Sequence, residues 1–157
     1  MRISELLFPR LVVLITTINK QNKPNVMTVS FIMPVSFEPK ILAFSISPHR
    51  YSYENLREVE EFGVNVLEEN QKEVAMICGT KSGRVFDKFK LANLTKEKSK
   101  LIKPPLVKEC PISLECKVEE MVKAGDHFIV VGKIVNEVIR KKDFNPLLHL
   151  TGEKYFK

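Results

Sequence analysis

The segment 25–52, NVMTVSFIMPVSFEPKILAFSISPHRYS, constrains this chain more than any other. It holds two runs with the period of an extended strand, in which successive side chains point to opposite faces. In the first, Met27, Val29, Phe31 and Met33 point one way, and Thr28 and Ser30 point the other. Pro34 has no N–H for a ladder, so this run must bend, bulge or lie at an edge there. Glu38-Pro39-Lys40 makes the turn. In the second run, ILAFSIS (41–47), Leu42, Phe44 and Ile46 share one face, and Ala43, Ser45 and Ser47 share the other. Each run therefore offers a greasy face to a core and a face of small, hydroxyl-bearing side chains. The loop SPHRYS (47–52) adds an arginine and more hydroxyls. Such a wall suits a flat aromatic cofactor with its phosphate held beyond the strand end.

The rest of the chain extends this strand pattern. LVVLITTI (11–18) is continuously apolar and rich in β-branched residues, the mark of a buried strand, and NKQNKP (19–24) is a turn cluster. FGVNVL (62–67) is a further strand. ISLECKVEEMV (112–122) sets Ile112, Leu114, Cys116 and Val118 against Ser113, Glu115, Lys117 and Glu119, which predicts a half-buried antiparallel strand. KAGD (123–126) fits a hairpin turn into HFIVVGKIVNEVI (127–139), where Gly132 marks a bulge. The tail LLHLTGEKYF adds a last short strand.

Helices are expected only as short inserts. Ser4 caps one that ends near Pro9, and YENLREV (53–59) forms another. A third is capped by Asn70 and runs to about Cys78, where GTKSG (79–83) breaks it. A short helix or turn surrounds Asp87, and TKEKSKLIKPPLVK reads as an exposed polar connection. Strands joined by short turns point to a barrel or sandwich. With 157 residues, 44% of them hydrophobic, and no repeat or linker, the expectation is one domain over 1–157.

Composition narrows the function classes. The net charge is +6, yet the lysines are dispersed; only 96–108 and 140–142 are dense, and neither has the interleaved aromatics of a single-strand binder. Nucleic acid is therefore not the expected partner. The three cysteines form no CxxC pair and no histidine lies near one, which argues against zinc and for reduced thiols. No apolar run approaches the ~20 residues of a membrane span. The N-terminus lacks a secretory pattern, so the expected place is the cytoplasm. Apolar residues on both faces of the strand from His127 suggest a homodimer. GxGxxG, Walker A, GxSxG and HExxH signatures are all missing.

The candidate chemistry is spread out: Asn25, Thr28 and Ser30, then Ser45, Ser47, Arg50 and Ser52, then Arg84, Lys88 and His127. Taken singly, each has an ordinary reading as a solvated charge, an exposed strand hydroxyl or a hairpin residue. Their order is more informative. VVLITT (12–17), NVMTVSFIMPVSFEPKILAFSI (25–46), the loop to Ser52 with NL (55–56) and EFGVNVL (61–67) come first. DKF (87–89), ISLEC (112–116), GDHFIVVGKIV (125–135) and G-x-x-Y (152–155) follow. This succession resembles the flavin reductase-like family over nearly the whole chain.

The resemblance implies a mainly β fold, an FMN-binding split barrel with short peripheral helices. It implies FMN as cofactor and NADH or NADPH as co-substrate. Asn25, Met27, Thr28, Val29 and Ser30 would contact the ring, largely through main-chain groups. The small face of Ala43, Ser45 and Ser47 would leave room for the ribityl chain. The phosphate would sit near Arg50, Tyr51 and Ser52, with Lys88 closing over it. His127 matches the family's histidine near the flavin and is the catalytic candidate; Tyr155 would cover the ring. Either Phe31 or Met33 would face the flavin. The acceptor could be free flavin, a ferric complex or a redox protein. The alternatives are a flavoredoxin-like electron carrier and, more distantly, a basic barrel that binds nucleic acid.

Overall fold

A computed structural model describes residues 1–152 and 154–156; Glu153, inside the expected tail strand, lies outside the described residues. Helix α1 (Ile3–Leu6) leads into β1 (Arg10–Leu11), β2 (Val13–Ile18), β3 (Pro24–Val29), β4 (Ile32–Ser36) and β5 (Ile41–Ile46). Then come α2 (Tyr51–Glu58), β6 (Glu61–Val66), α3 (Lys72–Thr80) and α4 (Lys88–Leu91). The chain closes with β7 (Lys96–Glu97), β8 (Leu106–Val107), β9 (Ile112–Ala124), β10 (His127–Ile139), β11 (Leu148–Thr151) and β12 (Lys154–Phe156).

The main sheet has seven strands in the order β3-β2-β6-β9-β10-β5-β4, and every pairing is antiparallel. Its two edges, β3 and β4, are consecutive in the chain and joined only by residues 30 and 31. Such a link reaches about 11 Å between the flanking Cα atoms at full extension. A flat sheet of this width cannot be bridged that way, so the sheet curls until its edges approach, leaving a barrel split along one seam. Phe31 O accepts from Ser45 N at 2.9 Å, which extends the β4–β5 ladder to the seam.

Two cores flank the wall. Inside, Val13, Ile15, Val29, Phe44, Phe62 and Val130 pack together, with Phe44 and Phe62 edge-to-face at 5.1 Å. Outside, Val12, Leu14 and Val26 meet Ala75 and Cys78 of α3 and Phe89 of α4. The run 11–18 is apolar without alternation because both faces of β2 are covered. Gly132 sits at a register shift, as the bulge reading requires, and a Cβ there would lie 2.3 Å from the Phe62 ring. Pro34 lies on an edge strand beside another register shift.

Several expectations are corrected. Met27 and Val29 are buried, but Phe31 and Met33 are 38% and 59% exposed, and Ile32 packs on the inner core instead. The alternation slips by one residue where the chain crosses the seam, which exchanges the two faces. Ser4 lies within α1, whose N-cap is Arg2. Asn70 falls in a 3-10 turn, Glu69–Gln71; α3 starts after Gln71, which makes no side-chain cap bond, and runs through Gly79 to Thr80. Helix α2 begins at Tyr51, so Tyr51 and Ser52 form a helical turn rather than a loop.

The first half of β9 is covered on both faces, with Ser113 and Glu115 fully buried. The cause is the 95–108 connection, which is not simply exposed. Its β7 and β8 pair, Leu106 and Val107 are buried, and the Glu115 carboxylate accepts from Lys100 N (2.8 Å), Leu101 N (2.7 Å) and Asn136 Nδ2 (3.1 Å). The tail supplies two short strands, β11 and β12, which form a small sheet with β1.

Candidate functional site

Beside the seam, β3, β5 and α2 converge. Arg50 occupies the N-cap position of α2 in extended conformation (ψ 140), with no side-chain cap bond, and, with Tyr51 and Ser52 of the first turn, lines a pocket of about 190 Å³. The first N–H groups of a helix have no intrahelical acceptor, which favours an anion there. Ser52 is buried, and its Oγ accepts from Asn25 Nδ2 (2.9 Å) and Thr17 Oγ1 (3.4 Å). Asn55 Nδ2 in turn donates to Thr17 Oγ1 at 3.0 Å. This network pins α2 onto β2 and β3, so the sequence-predicted Asn25 and Ser52 set the pocket's frame.

Lys88 opens α4 behind the cap residue Asp87 and is only 5% exposed. Its Nζ donates to Cys78 O at 3.0 Å. Burial lowers its pKa to about 8; the nearby Cys78 thiol works against that and the Arg50 charge adds to it. The Arg50 guanidinium is exposed and has no hydrogen-bond or ion-pair partner among the described residues. Two other cations line the pocket. Arg84 is committed: it pairs with Glu54, donates to His49 O at 3.2 Å and stands over the Tyr51 ring. Lys81 stands over Phe86 at 5.5 Å.

Sequence reasoning took 79–83 only as a helix breaker and missed that Thr80, Lys81, Ser82 and Gly83 close this pocket, as does His49. A Cβ on Gly83 would lie 2.2 Å from Asn25 Oδ1 and 2.8 Å from Tyr51 Cδ1, so only glycine permits this approach. The hydroxyl and basic content of TKSGR was the available signal.

From Met27 and Arg50 the pocket continues into a groove of about 510 Å³ along residues 27–31, with Ser45 and Ser47 on its other side and His127 at its border. Thr28 Oγ1 donates to Ala75 O at 2.7 Å, so its hydroxyl is spent on α3. Ser47 Oγ accepts from His49 N at 3.3 Å. Of the two aromatic-position candidates, Phe31 lines the groove, whereas Met33 and Ala43 line an adjoining apolar chamber. Ala43 thus stands apart from the expected ribityl face. His127 opens β10; its Nδ1 is 2.8 Å from Asp126 Oδ1, and its ring centroid is 6.4 Å from that of Phe31. The hydrogen bond to His127 holds the Asp126 carboxyl below its ordinary range.

Tyr155 is not among the groove-lining residues. It stacks on His149 at 5.0 Å and packs on the outer core. Sequence reasoning also missed Arg10 and His149, which meet at Ser30 from opposite ends of the chain.

The fold has counterparts among known proteins. Residues 4–156 match the model of the flavin reductase like domain. An uncharacterized protein of Archaeoglobus fulgidus is 39% identical over 114 residues, which cover 73% of this chain and 64% of that relative. A split barrel domain structure from Shewanella frigidimarina aligns over 98% of this chain and 84% of its own, with a TM-score of 0.90 at 20% identity. The Streptomyces globisporus C-1027 NADH:FAD oxidoreductase SgcE6 aligns over 96% and 86%, with a TM-score of 0.85 at 21% identity. The chain belongs to the flavin reductase-like family, and its fold is the split barrel.

Proposed function

We propose that this chain is an FMN-binding oxidoreductase that accepts a hydride from NADH or NADPH and passes electrons to free flavin, a ferric complex or a redox partner. The observation that carries this reading is the pairing of a groove flanked by Ser45 and Ser47 with two cations at one end, Lys88 and Arg50, that are in no ion pair among the described residues. Lys88 and Arg50 can meet an anion without surrendering another partner, whereas Arg84 cannot. With Lys81, held only over the Phe86 ring among the described residues, they give the pocket enough positive charge for one phosphate dianion, in keeping with a mononucleotide. Arg50 would supply a planar two-pronged donor, Lys88 a point charge, and the first turn of α2 its open N–H groups.

Bound FMN would supply the two-electron chemistry. The chain's part is binding and orientation. The main chain of Met27, Thr28, Val29 and Ser30 would run along the ring, Ser45 and Ser47 would flank the ribityl chain, and Phe31 would wall the far side. His127 would contact the nicotinamide or polarise the flavin edge, its orientation set by Asp126. Tyr155 would act through His149. The name of the Streptomyces protein supports a nicotinamide donor. A homodimer is supported by the edge strand β4 and the turn after it, where Met33 and Val35 are 59% and 51% exposed and Phe37 is 97% exposed. Among the described residues no helix is long and apolar enough to cross a membrane. The expected place of the 1–157 unit is the cytoplasm.

Titrating FMN into the purified protein should quench flavin emission. Adding NADH or NADPH without oxygen should then bleach the visible flavin bands. An unchanged emission at saturating protein overturns the reading. Bleaching that needs an added reductase would make the chain an electron carrier.

A further inference from the structure

Resting on the flavin reading above, we propose that Arg10 is a positioning residue which, together with a neutral His149, sets Ser30 and Phe31 at the ring end of the groove. Arg10 Nη1 donates to Ser4 O (2.7 Å) and to Leu7 O. Nη2 donates to His149 Nδ1 (3.0 Å) and Leu150 O (3.3 Å), and Nε reaches Ser30 Oγ at 3.4 Å. The guanidinium carbon stands 5.5 Å from the Phe31 ring centroid. Among the described residues no carboxylate pairs with it. Ordering a long side chain costs rotamer entropy, and here no ion pair offsets that cost. What the arrangement secures is geometry: a rigid fork joins the N-terminal segment, β11 and the seam.

The tautomer of His149 follows from its partners. Nε2 lies 2.7 Å from Gly152 O, which can only accept, so Nε2 carries the proton. Nδ1 is then free to accept from Arg10 and to meet Ser30 Oγ at 3.1 Å. A doubly protonated ring would turn an N–H toward the guanidinium and open the clamp.

The clamped residues matter because Ser30 and Phe31 are the seam link itself and belong to no strand. Both line the groove, and Phe31 stands between Arg10 and His127. Through them, segments at the two chain ends determine where a ring can lie. The phosphate pocket is untouched by this clamp, so its loss should act on the ring alone.

The test uses Arg10→Met, His149→Phe and their combination. FMN and riboflavin should each bind about tenfold more weakly to either single variant, and by equal factors for the two ligands. The double variant should be no worse than the weaker single, since both changes break one clamp. Visible circular dichroism of the flavin on saturated variant should differ from wild type. His149→Gln, whose amide keeps an acceptor and a donor, should restore it. A wild-type spectrum on the saturated variants, or additive losses, would overturn the proposal. Amide exchange at Ser45, whose N–H donates to Phe31 O at 2.9 Å, should rise in each clamp variant of the flavin-free protein. That readout stands even if wild type binds no flavin, so a failed clamp and a failed flavin reading give different results. If Arg10→Met does not fold, the His149 pair decides alone.

Discussion

At one end of the groove, Lys88 and Arg50 face a pocket with their charges largely uncommitted; at the other, Arg10 has spent its donors on carbonyls, a histidine and a serine. Both regions are basic and both adjoin the same strand. They differ in what their cations have left to offer. An unspent cation costs desolvation in the free protein, visible in the lowered pKa of Lys88, and returns that cost when an anion arrives. A saturated one contributes little electrostatic attraction and instead fixes shape. The contrast teaches that affinity for a phosphate and placement of a ring are separable properties of this groove.

The strongest challenge to that division is Lys88→Ala. Losing a charge-assisted contact should weaken FMN by about 1.5–3 kcal/mol, roughly ten- to a hundredfold, while riboflavin binding stays near wild type. Parallel fluorescence titrations measure both, and equal losses would erase the contrast.

A pH series sharpens it. Lys88 in the free protein loses its proton near pH 8, and an adjacent phosphate would hold that proton on. FMN affinity should therefore fall as pH rises above 8, by up to about tenfold per unit, with riboflavin flat and Lys88→Ala flat for both. The same shift affects folding with a definite sign. Between about pH 8 and 10.5 the unfolded chain binds the Lys88 proton and the folded chain does not, so this group makes flavin-free protein more stable as pH rises through that window. Urea unfolding of wild type against Lys88→Met isolates it.

Arg50→Ala should have a smaller effect of the same kind, roughly two- to fivefold on FMN only, because an exposed guanidinium is screened by water. Smallest for the ligand is Thr28→Val. Its hydroxyl serves Ala75 O, so the change should lower unfolding free energy by about 1 kcal/mol and leave both flavins bound as before. A loss of flavin affinity with unchanged stability would return Thr28 to the groove.

How much of this was legible beforehand depended on distance along the chain. The faces of 41–47 were readable because a two-residue period is a local code, and Leu42, Phe44 and Ile46 are buried as read. Arg50 and Lys88 stood out through an ordered set of short motifs, and they line one pocket. Phe31 and Met33 were misread because the phase slip at the seam comes from curling the whole sheet. The expected hydroxyl face of β3 lost Thr28 to a helix more than forty residues on, a partner no local pattern reveals. Glu115 looked solvent-facing until the connection ahead of it folded across.

Sequence alone determined the long strands, the apolar face of 41–47, and the family to which the order of motifs belongs. Tertiary structure alone decided which charges are free. Arg10 and His149 lie 139 positions apart, and Arg84 finds Glu54 across 30, so their commitments exist only once the barrel has closed. The physical reason is that a side chain's periodicity is set by its own backbone, whereas its remaining capacity to bind is set by whichever groups folding brings within reach.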